Sequence, residues 1–569
     1  SYGSFNAHKE TVKFGTGLLK DHWAFDARLS NIGTDGYIDR ASVDLYSFYA
    51  QGGYFADNTS VKFITFGGKE KTYHAWNYAT KEEMKKYGRR FNSCGMYTDD
   101  DGHIRFYKDQ TDNYLQMNYQ LLLNHTFSAA WNLNAALHYT KGDGYYQEYK
   151  EDRSLKEYRL HPFMYDGKEV EKSDLIRQKK MDNHFGGGVF SVNYRNEKLD
   201  ASLGGALNYY DGWHFGRVIW VKNYIGELLP DHEYYRNKAK KTDGNLYLKA
   251  NYNLVAGLNA YADLQYRYIN YKIHGDNDKY DYNTDGLQKL AVNDHFNFFN
   301  PKAGLNWDID SNNRVYASFS VAQKEPTRNN YTDGNADEYP KAEKLYDYEL
   351  GYTYRNTWLS AGVNFYYMDY KDQLVLTGEL NEIGEAMARN VPDSYRTGVE
   401  LMLGVKPCRW FQWDINGTLS KNRVKNFTEK LYEDEWKNPI EVEHGNTPIA
   451  FSPDFILNNR FSFSHKGFEA ALQSQYVSKQ YMSNAKQAEQ TLDAYFVSNL
   501  NLAYTFQLRH VKSVTVGFTI YNLFNEKYEN NGYAGSGYTL KDGKPERYNY
   551  AGYAAQAGTN VMGNISIRF

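Results

Sequence analysis

Apolar and polar residues alternate with a period of two along most of the chain. Between residues 115 and 124, leucine, methionine and tyrosine occupy one face, and glutamine and asparagine occupy most of the other. The same alternation resumes at 131–139 and recurs at 23–30, 199–209 and 411–420. Alternation of this kind predicts β-strands with one apolar and one polar face. We therefore expect an all-β protein.

Strand length and loop placement separate a membrane barrel from a soluble sandwich. The predicted strands run roughly 10–14 residues, which is long for a soluble sheet and sufficient to cross a bilayer when tilted. Tyrosine and tryptophan cluster at the strand ends, as membrane-interface girdles require. Short turns and long polar connections alternate along the chain, which is typical of an outer-membrane barrel.

The predicted connections divide into two sets. Short turns are expected near Lys20–Asp21, Asp57–Asn58, Ser128–Ala130, Asn196–Glu197, Val255–Ala256, Asp310–Asn313, Asn356–Thr357, Pro407–Cys408, Lys466–Gly467 and Arg509–His510. Long connections are expected at about 68–112, 142–183, 212–244, 272–295, 324–344, 371–394, 423–453, 479–495 and 526–556. We place the two sets on opposite sides of the membrane.

Counting strands predicts a further one. Ten short turns join twenty strands, and a final strand ending in 564–569 makes twenty-one. The first and last of these would run parallel as neighbours, whereas bacterial barrels have an even number of antiparallel strands. We therefore expect one more strand upstream of Ser1, with 1–6 as the turn that follows it. Residues 1–569 then form one domain of a 22-stranded transmembrane antiparallel β-barrel, and a plug for its wide lumen is also expected upstream.

Composition excludes several other classes of protein. Aromatic residues make up 17% of the chain, including 55 tyrosines, which argues against disorder. A net charge of −3 argues against a nucleic-acid partner. The two cysteines, Cys94 and Cys408, are expected on opposite sides of the membrane and therefore as free thiols. We find no apolar run long enough for a membrane helix and no convincing catalytic motif, so we expect no enzyme.

Several stretches resemble a known family. Residues 521–528 are YNLFNEKY, and the chain ends in a strand whose last residue is Phe569. Together with 1–6, 341–355, 367–380 and 477–485, they resemble the TonB-dependent outer-membrane receptors, particularly those of the Bacteroidetes type. The resemblance covers the whole chain as barrel. It implies the outer membrane of a Gram-negative bacterium and active import driven by the TonB–ExbB–ExbD complex through an N-terminal region.

The resemblance leaves the cargo open. We favour a scarce metal chelate, either an iron siderophore or haem, and keep cobalamin or another vitamin as the alternative within the family. A passive porin-like channel is the alternative of another class, and a soluble β-rich binding protein is a weaker one. The partners implied are the small-molecule chelate, outer-membrane lipid and a surface lipoprotein, with no nucleic acid.

Polar and aromatic side chains on the predicted outer loops are candidate ligand-binding residues. Loops in these positions often contact ligand in the family, and the chemistry of these side chains suits an anionic or aromatic chelate. The candidates are Arg328, Asn329, Tyr331, Arg389, Asn390 and Tyr533.

A calcium-like motif occurs at 281–286. Its sequence, DYNTDG, matches the first half of a D-x-N-x-D-G calcium loop, but its twelfth position is Val292 where a bidentate glutamate is needed. We expect no intrinsic cofactor, and Asp281, Asn283 and Asp285 are candidate ligands of a loop-bound calcium ion. A solvated acidic loop is the competing interpretation.

Loop histidines are candidate haem ligands, since haem-uptake relatives use them, although an exposed histidine without a ligand is the simpler interpretation. Those on the predicted long loops are His74, His103, His161, His214, His232, His274 and His444.

Overall fold

The computed structural model describes residues 1–226, 228, 232–282, 284–333, 339–381, 384–433 and 437–569, and this part of the chain is almost entirely β. The strands of its first half are β1 (Tyr2–Gly3), β2 (His8–Gly15), β3 (Trp23–Thr34), β4 (Val43–Phe55), β5 (Thr59–Tyr73), β6 (Met96–Thr98), β7 (Ile104–Phe106), β8 (Thr111–Thr126), β9 (Trp131–Ser154), β10 (Phe163–Tyr165), β11 (Lys168–Val170), β12 (Lys172–Arg195), β13 (Leu199–Val221), β14 (Glu233–Val255), β15 (Leu258–Asp281) and β16 (Gly286–Asp308). Those of the second half are β17 (Asn313–Lys324), β18 (Glu343–Arg355), β19 (Leu359–Leu380), β20 (Ala386–Cys408), β21 (Phe411–Glu433), β22 (Lys437–Pro448), β23 (Phe455–His465), β24 (Phe468–Val477), β25 (Gln480–Tyr481), β26 (Thr491–Leu492), β27 (Tyr495–Leu508), β28 (Val511–Tyr521), β29 (Glu529–Lys541), β30 (Lys544–Ala555) and β31 (Asn560–Arg568).

Among the described residues, two short α-helices lie in the connections, α1 (Lys81–Tyr87) and α2 (Arg328–Thr332). Helix α1 begins with a capping box, in which the backbone N–H of Glu83 donates to Thr80 Oγ1 at 3.1 Å and the backbone N–H of Thr80 donates to Glu83 Oε2 at 2.8 Å. In the part of the chain that the structure describes, no helix is long and apolar enough to cross a membrane.

Antiparallel pairing joins the long strands into one closed wall. Its twenty-one long members are β2–β5, β8, β9, β12–β21, β23, β24, β27, β28 and β31. The twenty-second position, between β31 and β2, is occupied by β1, in which Tyr2 pairs with Gly563 on one side and with His8 on the other. The result is a closed 22-strand antiparallel barrel, which confirms the predicted fold class.

The barrel is apolar outside and polar inside, the reverse of a soluble protein. Leu121, on the outer face of β8, is 45% exposed, whereas Asn118 on the inner face is 8% exposed. On the inner face of β15, the Arg267 guanidinium bonds to Asp243 Oδ1 at 3.0 Å and Glu325 Oε2 at 3.0 Å. An outward apolar band and a polar lumen are what a membrane barrel requires.

Aromatic rings form a girdle on the outer face. Neighbouring rings in β17–β20 follow one another around the wall, with centroid distances of 5.0 Å for Phe319–Tyr348, 6.5 Å for Tyr348–Tyr367 and 6.2 Å for Tyr367–Tyr395. Amphipathic rings of this kind settle at the level of the lipid headgroups. The girdle therefore marks one boundary of the membrane-spanning band.

The ten short turns are confirmed at the predicted places, with one shifted by two residues. Between β20 and β21 the turn is Arg409–Trp410, not Pro407–Cys408. Cys408 thus ends a strand beside a short turn, while Cys94 lies in the long connection between β5 and β8. Both cysteines are free, as predicted.

Six predicted long loops are largely strand, and this is a correction: they are 142–183, 212–244, 272–295, 371–394, 423–453 and 526–556. Strands β9, β12 and β15 each have 24 residues and continue through most of 142–183 and 272–295, while β13 and β14 take most of 212–244. Above the bilayer the outer face of a strand meets water and no longer needs apolar side chains. The alternation that predicts a strand ends there, although the hydrogen-bonded ladder continues.

A hairpin outside the wall links several connections. We name Glu529–Ala555, which contains β29 and β30, the mouth hairpin. The backbone N–H of Tyr553 donates to Ala79 O at 2.8 Å, and Gln490 Nε2 donates to Gly535 O at 2.6 Å. The mouth hairpin also contacts β19 and β21 of the wall.

Candidate functional site

Two neighbouring cavities lie where the ends of wall strands meet the connections between strands. The larger has a volume of about 500 Å³. It lies between the ends of β19, β20 and β21 that are remote from the short turns, and residues 339–341, 483–485 and 535–536 complete its wall. Charges of both signs line it, namely Lys341, Asp372, Glu379, Arg389, Lys425, Glu429 and Lys430.

The smaller cavity, of about 370 Å³, is lined by aromatic rings. Trp76, Tyr78, Tyr533 and Tyr550 contribute to its wall, and the rings of Tyr78 and Tyr533 stack with centroids 6.4 Å apart. Burial raises the pKa of Tyr550 to about 12, so its phenol stays protonated and able to donate a hydrogen bond. This cavity offers stacking surfaces and neutral donors.

The two cavities meet at Glu379, which lines both. Its Oε2 lies 3.9 Å from Nη2 of Arg389, a residue of the larger cavity. An ion pair therefore lies where the larger, charged cavity meets the smaller, aromatic one.

Two glycines of the mouth hairpin allow the tyrosine rings to lie across it. In the β29–β30 register, Tyr533 pairs with Gly552 and Gly535 pairs with Tyr550. A Cβ added at Gly552 would collide with the ring of Tyr533, and one at Gly535 would collide with the hydroxyl of Tyr550. Each ring thus lies flat over the glycine opposite, which sets its direction at the cavity.

The structure places Arg328, Asn329 and Tyr331 on α2. Nη2 of Arg328 donates to Asn237 Oδ1 at 2.7 Å, and the Tyr331 hydroxyl donates to Asp294 Oδ2 at 2.6 Å. Asn329 donates to Glu385. These contacts anchor α2 beside the larger cavity, which its middle residue, Asn330, lines directly.

The other three candidates line the cavities. Arg389 and Asn390 belong to the larger cavity and Tyr533 to the smaller one. Asn390 also builds the wall, since its Oδ1 accepts from the Lys341 backbone N–H at 2.8 Å and its Nδ2 donates to Asp372 O at 2.6 Å. A ligand-binding role for the six residues stays a prediction.

Sequence reasoning missed Trp76, Tyr78, Glu379 and Tyr550 as cavity residues. They come from three segments far apart in the chain, namely the connection between β5 and β8, the end of β19 and the mouth hairpin, and no local motif joins them. The Tyr548–Tyr550 spacing on one face of β30 was the available signal, but it is shared by many strands of this tyrosine-rich chain.

The predicted calcium motif lies at the tip of the β15–β16 hairpin, and its Asn283 lies outside the described residues. Asp285 Oδ1 accepts from the Tyr280 hydroxyl at 2.7 Å and lies 3.2 Å from Lys156 Nζ, while Asp281 Oδ2 accepts from Thr284 Oγ1 at 2.9 Å. Calcium binding there stays a prediction.

A different acidic group, Asp99, Asp101 and His103, has side-chain ligand atoms within 4.8 Å of one another among the described residues. Asp99 is already engaged, since its Oδ2 accepts from Arg105 Nε at 2.8 Å and its Oδ1 accepts from the His103 backbone N–H at 2.8 Å. The hydrogen bonds account for this turn without a metal ion.

The loop histidines differ in their surroundings. His74 is 3% exposed and stacks on Trp76 with centroids 3.8 Å apart, and burial lowers its pKa to about 4. His214, His274 and His444 lie in strands, contrary to their predicted position in loops. Haem ligation by any of these residues stays a prediction.

A closed 22-strand barrel with an apolar outer band and a polar lumen defines an outer-membrane protein of a Gram-negative bacterium. The model of the family described as "TonB dependent receptor-like, beta-barrel" matches residues 46–523. The chain belongs to this family.

Named relatives are distant in sequence. The pesticin receptor of Yersinia enterocolitica is 24% identical over 225 residues, which cover 39% of this chain and 30% of the receptor. The siderophore receptor PiuA from Acinetobacter baumannii has a TM-score of 0.71 at 11% identity, over 100% of this chain and 80% of PiuA. The ferric yersiniabactin uptake receptor FyuA from Yersinia pestis has a TM-score of 0.68 at 14% identity, over 100% of this chain and 79% of FyuA.

Proposed function

We propose that the protein imports a metal chelate, a ferric siderophore or haem, across the outer membrane with energy supplied through TonB, ExbB and ExbD. The observation that carries the proposal is the pair of adjoining cavities, one charged and one aromatic, beneath the mouth hairpin. The chelate passes through without any covalent change. The plug predicted upstream of Ser1 stays a prediction.

The chemistry of the cavities supports a chelate with anionic and aromatic groups. Guanidinium and ammonium groups at Arg389, Lys341 and Lys430 form charge-assisted hydrogen bonds to carboxylate or phenolate oxygens. The rings of Trp76 and Tyr533 offer stacking surfaces to aromatic parts of a ligand. A mostly preformed cavity with a few convergent polar groups is the usual form of a small-molecule site.

Cargo class is tested by titrating the purified protein with ferric siderophores of different chemistry, haem and cobalamin. Trp76 lines the smaller cavity, so a bound chelate close to it should quench its fluorescence. Trp76→Phe identifies the part of the signal that comes from the cavity. Saturable quenching by an iron chelate is the expected result. Binding of cobalamin alone would identify a vitamin importer. If none of these ligands bound and the protein showed a steady open conductance in a bilayer, a passive channel would be favoured.

Arg389→Gln tests the larger cavity in the same titration. Loss of a charge-assisted contact should weaken chelate binding about tenfold or more. Arg195→Gln serves as control, because Arg195 is exposed at a short turn and pairs with Asp200 there. Equal binding by both variants and the wild type would remove the larger cavity from the proposed ligand site.

A further inference from the structure

A groove of about 810 Å³ lies on the outer wall of the barrel, across β18–β21. Val399 and Thr397 of β20 form its floor, with Phe365 of β19 on one side and Leu419 of β21 on the other. Phe365 and Leu419 are exposed, and they face outward with the rest of the apolar band. Because the part of the groove between Phe365 and Leu419 is apolar and faces lipid, its size and chemistry suit an acyl chain.

The strand register orders the outward residues into rows. The apolar row contains Leu350, Phe365, Val399 and Leu419. The row above it contains Tyr348, Tyr367, Thr397 and Lys421, and the next contains Tyr346, Asp369, Tyr395 and Arg423. The first row is apolar, the second combines two tyrosines with Thr397 and Lys421, and Arg423 is the residue of the third row that lines the groove. The groove therefore runs from apolar side chains to cationic ones.

The height of Lys421 places it at the membrane boundary. Lys421 lies ten residues beyond Phe411, the first residue of β21, on the same strand face. At the usual strand rise and tilt, ten residues span about 26 Å along the barrel axis, close to the roughly 25 Å height of an apolar band. Lys421 and Arg423 thus lie at the level of the headgroups, on the side of the membrane opposite the short turns.

These two cations suit an anionic headgroup. Lys421 is exposed and has no carboxylate partner among the described residues. Nη1 of Arg423 lies 3.5 Å from Asp454 Oδ1, whose own side chain is exposed. We propose that the groove binds a phosphorylated lipid of the outer leaflet, with its phosphate on Lys421 and Arg423 and an acyl chain over Val399.

The test measures lipid retention in nanodiscs of phosphatidylcholine that contain a minor fraction of diphosphoryl lipid A. After extraction into mild detergent, native mass spectrometry counts the lipid that stays bound. We expect retention of lipid A to exceed that of its enzymatically dephosphorylated form. Lys421→Gln and Arg423→Gln should each weaken retention about 5-fold, the effect of one cation near an anionic headgroup.

Lys141→Gln is the matched control. Lys141 also lies ten residues beyond the first residue of its strand, Trp131, but it pairs with Asp182 and does not line the groove. Heat-modifiable mobility in electrophoresis confirms that each variant is folded. Equal retention of phosphorylated and dephosphorylated lipid would overturn the proposal, as would an equal loss in all three variants.

Discussion

The His74 ring shows how burial fixes the charge state of one side chain. It packs face to face on Trp76 beside the smaller cavity, and burial lowers its pKa from 6.5 to about 4. An imidazolium in this position would lose its hydration without gaining an equivalent partner. His74 is therefore neutral in the folded protein at neutral pH.

The depressed pKa predicts a pH dependence of stability. Between pH 6.5 and about 4 the unfolded chain binds a proton at His74 that the folded chain does not, so the free energy of unfolding falls as the pH falls through this window. The full effect is about 3 kcal/mol. Urea titrations over this pH range, followed by tryptophan fluorescence, measure it.

His74→Phe supplies the comparison, because phenylalanine keeps the ring stacked on Trp76 and cannot be protonated. Carboxylates elsewhere in the chain titrate equally in both proteins. The difference between the wild type and the variant, when the free energy of unfolding is plotted against pH, therefore isolates residue 74. If the free energy of unfolding changed with pH in the same way in both proteins, His74 would gain its proton as readily in the folded state as in the unfolded one.

A strand has different surroundings along its length, and β13 illustrates this. Leu203 lies four residues beyond the start of β13, about 10 Å up the barrel axis and near the middle of the apolar band. Ile219 lies near the other end of the same strand, well above the bilayer. Both side chains are exposed, one to lipid and one to water.

Leu203→Arg should therefore destabilise the barrel by about 2–4 kcal/mol, the effect of an arginine facing lipid at mid-membrane. Ile219→Arg on the same strand should change stability by less than about 1 kcal/mol, because water solvates its charge. Denaturant unfolding of the two variants in phospholipid vesicles compares them. Similar losses at both positions would contradict the assignment of the membrane band.

This contrast explains which elements the sequence could predict. Where lipid meets one face, as at 115–124 and 199–209, alternation is strong and the strands and short turns are confirmed. Where both faces are wet, as in the upper parts of β9 and β12, the pattern disappears and strand resembles loop. The hydrogen-bonded ladder between neighbouring strands, which local sequence does not encode, extends these elements.

The candidate site was less predictable because it is a property of the whole molecule. Arg389, Asn390 and Tyr533 were selected from the sequence and line the cavities, but Trp76 and Tyr78 reach the same place from a connection more than 400 residues before Tyr533. Closure of the barrel brings these connections together over one mouth. No window of sequence contains that information.

The mouth hairpin is the element on which this convergence depends. It bonds to the connection between β5 and β8 at Ala79, to the connection between β24 and β27 at Gln490, and to β22 through the Tyr538 hydroxyl, which donates to Asn438 O at 2.5 Å. It also contributes to the walls of both cavities. The wall strands β28 and β31, which flank it in sequence, pair with each other independently of it.

Replacing 530–554 with a short glycine–serine linker should therefore abolish chelate binding and leave the barrel folded. We also expect higher conductance across planar bilayers, because the hairpin that links the connections over the mouth of the barrel is removed. Heat-modifiable mobility checks the fold, titration checks binding, and single-channel recording checks conductance. A variant that still bound chelate with wild-type affinity would place the site elsewhere, whereas unchanged conductance would mean that the hairpin does not restrict the path.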